Sequence, residues 1–279
     1  MRNRTSHISK TSEVEGLRVV PSHGFTMVEL VVVIMLLGIL SIGTVRFIGD
    51  ATDGFAGGSA RGELSAGVRQ SVQHLGQALR EALPNSIRVT AAGDCLEYVP
   101  VINASVYVTA PIGLSGSIMQ IVPFDSVVSS ANWHVVLTPN DSLYAANSPG
   151  PLSPLVIAGS PNAENLVALT FASAHQFSSA SPQQRFFVVE APVSYCLSNN
   201  TLYRYQNYGF QNSQPTIATL PNSLPNRNIL MGDLSATLPV FATESATLTR
   251  NAVVSIELEF TKGGQQLDIS HSVQIRNQI

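Results

Sequence analysis

The 279-residue sequence predicts an α+β protein, with one long N-terminal helix packed against an antiparallel β-sheet domain and the first half of that helix spanning a membrane. Three observations carry this expectation. Residues 24–45 form an apolar run interrupted by a single acid, Glu29. Residues 63–83 place apolar side chains at helical spacing. Beyond Pro84, short β-favouring runs alternate with connections rich in Pro, Ser, Asn and Gly.

Residues 1–23 are polar and of mixed charge, with Arg2, Arg4, Lys10 and Arg18 against Glu13 and Glu15. A secretory signal places its apolar region before the cleavage site, whereas here the apolar region follows the site. The positive excess assigns residues 1–24 to the cytoplasm as a leader peptide and the remainder to the far side of the membrane. Phe25 to Val45 makes about 32 Å of helix at ~1.5 Å per residue, enough to cross the bilayer core. A carboxylate at membrane depth costs roughly 2.5–3.5 kcal/mol, so Glu29 marks a function rather than an accident of composition. Arg46 ends the run at the outer interface.

The segment 49–62 contains five glycines, each costing about 1 kcal/mol relative to Ala inside a helix, and predicts a frayed or flexible break within the N-terminal helix 25–83, either a linker or a helix that melts during assembly. Leu64, Val68, Val72, Leu75, Leu79 and Leu83 then form one apolar stripe, and Pro84 stops the helix. His74 neighbours the stripe and reads as a flanking or core residue rather than a ligand.

The β-rich headgroup occupies 84–279. Candidate strands are 86–90, 95–108, 118–123, 134–138, 166–171, 186–191, 193–197, 201–206, 253–261 and 265–276. Two hairpins are explicit, turning at 198–200 and 262–264. A single antiparallel sheet laid on the helix stripe accommodates these runs. The long connections 139–165 and 207–228 read as binding surfaces or mobile inserts.

Composition narrows the function. The chain is 44% hydrophobic and only 12% charged, about half the charged share of roughly 25% in ordinary globular domains. Loss of residues 1–24 removes four basic and two acidic residues, leaving 11 Lys/Arg against 16 Asp/Glu and moving net charge from −3 to −5. No basic face supports nucleic-acid binding. Outside the cytoplasm, Cys95 and Cys196 are candidates for a disulfide; two buried thiols are the alternative, and neither has a ligand-spaced neighbour for a metal. No nucleophile elbow, zinc-binding helix pair, phosphate loop or dinucleotide fingerprint occurs, and Glu257 with Glu259 reads as the solvated face of a strand. The expectation is a non-enzyme without cofactor or metal.

Gly24-Phe25, Glu29 and the aliphatic run that follows resemble the leader and N-terminus of type IV prepilins and type II secretion pseudopilins. The resemblance implies a pilin-like fold, cleavage after Gly24 by a membrane-embedded prepilin peptidase, and methylation of Phe25. It further implies that Glu29 serves assembly by pairing with the new N-terminal ammonium of a neighbouring subunit. Implied partners are other minor and major pilins, the prepilin peptidase, an inner-membrane assembly platform and the membrane itself. The implied location is the bacterial inner membrane as a single-pass protein, then the pilus.

The chain departs from the common pilin pattern in its long leader, in Arg46 where a kinking proline often stands, and in its widely spaced cysteines. Its 255 residues after Gly24 also exceed a typical major pilin. Residues 79–89, 95–100, 193–196 and 271–277 look most like the large O-type minor pilins of mannose-sensitive haemagglutinin pili, to which the J-type secretion pseudopilins are related. A minor pilin, a minor pseudopilin and a tip adhesin are the three functions this implies.

Overall fold

The computed structural model describes residues 24–124, 132–235, 237–244, 251–262 and 265–275; the expected leader, apart from Gly24, lies outside the described residues. The chain divides into two compact units, Met1–Phe55 and Ala56–Ile279. Helix α1, Met27–Arg80, is 54 residues long and runs through both.

In the first unit every described side chain is exposed, including the aliphatic residues from Val28 to Ile48. Such a helix is stable only where its surroundings are themselves apolar. The glycine-rich stretch 49–62, expected to interrupt the helix, is helical throughout. Propagation of a helix adds one hydrogen bond per residue once flanking turns exist, and Ala51, Ala56 and Ala60 between the glycines are strong helix formers. Propensity is thus outweighed at this site by continuity from both sides.

In the second unit the helix becomes amphipathic. Val68, Val72, Leu75 and Leu79 are buried, and Leu83 is buried just beyond the helix end. The side chain of Leu64, the expected first member of the stripe, lies outside the described residues.

The strands in chain order are β1 (Arg88–Val89), β2 (Cys95–Tyr98), β3 (Val101–Thr109), β4 (Gly116–Ile121), β5 (His134–Val136), β6 (Val156–Ala158) and β7 (Val167–His175). There follow β8 (Arg185–Val189), β9 (Val193–Ser198), β10 (Thr201–Tyr205), β11 (Arg227–Met231), β12 (Phe241–Glu244), β13 (Ala252–Lys262) and β14 (Gln265–Ile275). They form three antiparallel sheets rather than the single sheet expected, with orders β1-β2-β9-β10-β11, β12-β13-β14 and β5-β8-β3-β4-β7-β6. The expected strand 95–108 divides at Pro100, which has no N–H to give a ladder. Strands β6, β11 and β12 are three to five residues long, too short to show a period in the sequence.

The helix stripe packs against residues of both smaller sheets, among them Leu96, Tyr195, Leu202, Ile256, Leu258 and Phe260. The six-stranded sheet has a different construction. The N–H of Val156 beside β6 donates to the carbonyl of Trp133 beside β5 at 2.8 Å, and Ser153 N–H donates to Val135 O at 2.9 Å. These contacts join the two ends of the sheet order and close it into a small barrel. Met119, Ile121, Val135, Leu169, Phe186 and Val188 fill the interior, consistent with the side-chain-filled lumen of a narrow barrel.

All six barrel strands lie in the chain between β2 and β9, which themselves pair directly. The barrel is therefore an insertion between neighbouring strands of the first sheet. At its neck Tyr98 pairs with Val193, and at the far end of the same two strands Cys95 and Cys196 are directly opposed in register and joined by a disulfide across a sequence separation of 101. Leu83 N–H donates to Val99 O at 2.8 Å and Val101 N–H to Glu81 O at 3.1 Å, tying the helix end to the same neck.

The connections read as mobile or binding segments are in large part packed. Residues 139–165 contain β6 and bury Leu143, Tyr144 and Leu152. In 207–228, Leu220 covers the disulfide together with the partly buried Tyr208 and Ile217. Glu97, fully buried, forms an ion pair with Arg88 and accepts a hydrogen bond from Tyr208 Oη at 2.9 Å. Arg88 also donates to the carbonyls of Asn212 and Gln211 at 2.8 and 2.7 Å, and its guanidinium lies 3.6 Å from the Tyr144 ring centre. Burial pushes the Glu97 carboxyl above its ordinary pKa, while Arg88 and Tyr208 pull it back. One buried acid thus pins two loops to the first sheet.

Two expectations follow from the headgroup. Replacing both Cys95 and Cys196 by Ala should destabilise the protein by about 4–5 kcal/mol through the long loop released, read by denaturant unfolding. The second concerns His134, whose Nδ1–H donates to Ser153 O at 2.8 Å and whose ring meets Phe210 edge-on at 5.2 Å. Burial lowers its pKa below the ordinary 6.5, with the Ser153 bond opposing that fall. The folded state therefore prefers the neutral ring, so this stability is present above about pH 6.5 and is lost as pH falls through the folded pKa. The thermal midpoint should fall on acidification through that window, and His134→Gln should flatten the fall.

Candidate functional site

The start of α1 is fixed by its own sequence. Thr26-Met27-Val28-Glu29 has the spacing of a capping box, and the Glu29 N–H donates to Thr26 Oγ1 at 3.2 Å. The next amide, of Leu30, donates to the Thr26 carbonyl at 3.1 Å and opens the helical ladder. Thr26 thereby satisfies one of the four donors that a helix start leaves unpaired.

Gly24 precedes the cap in irregular, exposed chain, and Phe25 is 70% exposed. Glu29 sits in the first turn of α1 with an exposed side chain. Its amide is used by the cap, while its carboxylate stands at the positive end of the helix dipole, where a negative charge is favoured. The three residues singled out in the sequence are thus brought together within the first turn and its approach. An accessible backbone at Gly24–Phe25 suits proteolysis, and a carboxylate one turn further on suits an intermolecular ion pair. Among the described residues, α1 alone is long and apolar enough to cross a membrane.

Cys95 and Cys196 stand apart from this segment and lock β2 to β9 beneath Leu220, where their work is structural. Among the described residues no three His, Cys, Asp or Glu side chains gather as a metal site.

A second feature escaped the sequence reading. A cleft of about 650 Å³ opens between the end of α1, the first sheet and the barrel, lined by His74, Glu81, Tyr98, His134, Tyr195 and Arg204 among others. The Tyr98 and Tyr195 rings lie parallel, with centres 6.0 Å apart, and His74 Nε2 is 3.3 Å from the Tyr195 hydroxyl. Burial raises the pKa of both phenols above their ordinary value and holds them protonated. Since His134 commits Nδ1–H to Ser153, its Nε2 is left as an acceptor. These residues come from five separate chain segments, so no local spacing could announce them; only the topology assembles the cleft.

Residues 21–45 match the prokaryotic N-terminal methylation motif. No curated protein and no solved structure matches the chain. The motif covers the capped helix start and the apolar span that follows. Together, the methylation motif and the apolar N-terminal helix support a membrane-anchored protein of the type IV pilin and pseudopilin kind.

Proposed function

We propose that the chain is a minor pilin of type IV pilus biogenesis, of the mannose-sensitive haemagglutinin type, which acts by assembly and not by catalysis. It is inserted in the inner membrane with its leader in the cytoplasm, cut after Gly24 by prepilin peptidase and methylated on Phe25. It then joins other minor and major pilins at the pilus tip or in its priming complex, through an inner-membrane assembly platform.

The observation that carries this reading is Glu29 within a methylation motif, at the first turn of a helix whose cap survives the cut. Cleavage after Gly24 leaves Thr26 as the second residue of the mature chain, so α1 keeps its start. It also creates an ammonium on Phe25 beside the positive end of the helix dipole, an unfavourable place for a cation. In apolar surroundings that ammonium and an unpaired Glu29 carboxylate are each costly. Pairing the carboxylate of one subunit with the ammonium of the next removes both costs and sets their axial register.

The headgroup supports a minor place in the filament. A barrel inserted into an already complete sheet adds bulk that a tight helical lattice must accommodate at every repeat, whereas a tip accommodates it once. The open polar cleft favours a further reading, in which a tip position also presents a ligand-binding surface; loss of attachment by fully piliated cells carrying Arg204→Ala would support it.

The assembly reading is tested on the full-length protein in its own cells. Mass spectrometry of the N-terminus should find Phe25 first and methylated, and an intact Met1 start in the membrane-inserted protein would overturn the proposal. Glu29→Ala should be processed and membrane-bound but lost from sheared pili, read by immunoblot of this chain; undiminished incorporation would refute the role given to the carboxylate.

A further inference from the structure

Among the described residues, β14 forms the longest sheet edge, 11 residues, and pairs with no strand but β13. The other edge strands of the two smaller sheets, β1, β11 and β12, have two to five residues. The edge of β12 is covered as well, since the amides of Val240 and Phe241 donate to Gly93 O at 3.0 and 2.9 Å. Pairing of β13 with β14 runs without a bulge from Ala252↔Ile275 to Lys262↔Gln265.

The direction of each backbone group on β14 follows from its neighbour. On β13, Glu257 and Thr261 donate their amides to Val240 O and Asp233 O at 2.8 and 3.1 Å, and Glu259 O accepts from Ser235 at 2.9 Å. Odd-numbered residues of β13 therefore bond away from β14 and even-numbered ones bond toward it. In this register the odd residues of β14 are committed to β13. The amides and carbonyls of Gln266, Asp268, Ser270, Ser272 and Gln274 point outward, and no described backbone hydrogen bond meets them. Natural sheets guard such edges with Pro, Lys or bulges, and β14 has none of the three.

The chemistry of the adjoining face adds a charge preference. Asp268 is directly opposite Glu259, with Glu257 two residues along the same face. Like charges opposed across a ladder destabilise it. Gln266 Nε2 donates to Glu259 Oε1 at 2.9 Å and to Asp268 Oδ1 at 3.3 Å, bridging the two. A second copy of β14 at this edge would bring another aspartate to an already acidic face.

We propose that the open edge of β14 takes an extended strand of a different subunit of the assembly, with a basic side chain of that strand facing Asp268 and Glu259. This rests on the assembly reading above. Main-chain bonds from five outward residues supply attachment, and the acidic pair supplies selectivity.

The test uses the full-length chain in its own cells, with a photo-crosslinking residue at position 272. Ser270→Pro removes an outward N–H that β13 does not use, a place where an edge strand tolerates Pro. Asp268→Lys reverses the charge preference without touching the backbone. Irradiation should yield an adduct identified by mass spectrometry as another protein bearing the N-terminal methylation motif. The adduct should fall roughly tenfold in Ser270→Pro, equivalent to ~1.4 kcal/mol of lost pairing, and fall also in Asp268→Lys. N-terminal processing and the Cys95–Cys196 disulfide, checked in parallel, should be unchanged; if Ser270→Pro loses the disulfide, Asp268→Lys alone decides. An undiminished adduct in the variants, an adduct only with a second copy, or no adduct with a motif-bearing protein overturns the proposal. If Glu29→Ala loses incorporation while the edge variants change nothing, the edge proposal alone fails; if Glu29→Ala is also without effect, the assembly reading fails and this proposal with it.

Discussion

One helix has to satisfy two solvents, and the rest of the chain is arranged around that demand. From Leu30 to Leu40 the α1 side chains are apolar on every face and exposed, which requires apolar surroundings from outside the chain. From Val68 to Leu79 the helix buries one stripe against two sheets and offers polar residues elsewhere. Glu29 is the one charged residue between Met27 and Val45, and it stands where the helix dipole most favours an anion. Placing the acid one turn into the helix lets a single residue contribute its amide to the cap and leave its carboxylate for another chain.

The part of this that was legible in the sequence is the part governed by local rules. The apolar run and the stripe at 68–79 announce themselves by period, and the Asn199-Asn200 turn, with φ of 47° and 60°, is a hairpin that the pair of asparagines foretells. The acid, the preceding glycine and the polar leader lie within thirty residues of one another, so their meaning is readable in a line of text. The barrel was not readable. Its closure depends on Val156 meeting Trp133, and its strands β6 and β5 are three residues each, below the length at which alternation can be counted. The helical course of 49–62 departs from the linker expectation for the opposite reason, because glycine propensity is a local rule that cooperative propagation overrides. The cleft was invisible because its walls meet only after β2 and β9 have paired.

Glu97 illustrates how the headgroup settles a mixed inheritance of polar loops and apolar sheets. A carboxylate with no exposed surface is unfavourable unless fully engaged, and here Arg88 and Tyr208 engage it from different segments. Since Arg88 continues to the carbonyls of Gln211 and Asn212, the charge is spread into the loop that also carries Leu220 and Ile217 over the disulfide. The loop is held by chemistry that only works when the sheet beneath it is already formed, which makes its order a consequence of the sheet rather than a contributor to it.

The position of the disulfide has an evolutionary reading. Because β2 and β9 are partners and Tyr98 opposes Val193, the two ends of the intervening barrel leave the first sheet side by side, and the disulfide locks that same strand pair. Whatever is carried between those ends neither lengthens the sheet nor alters the pairing on either flank. The neck is built as a graft site: an inserted module of another size would leave the sheet and the buried stripe of α1 on one unchanging plan.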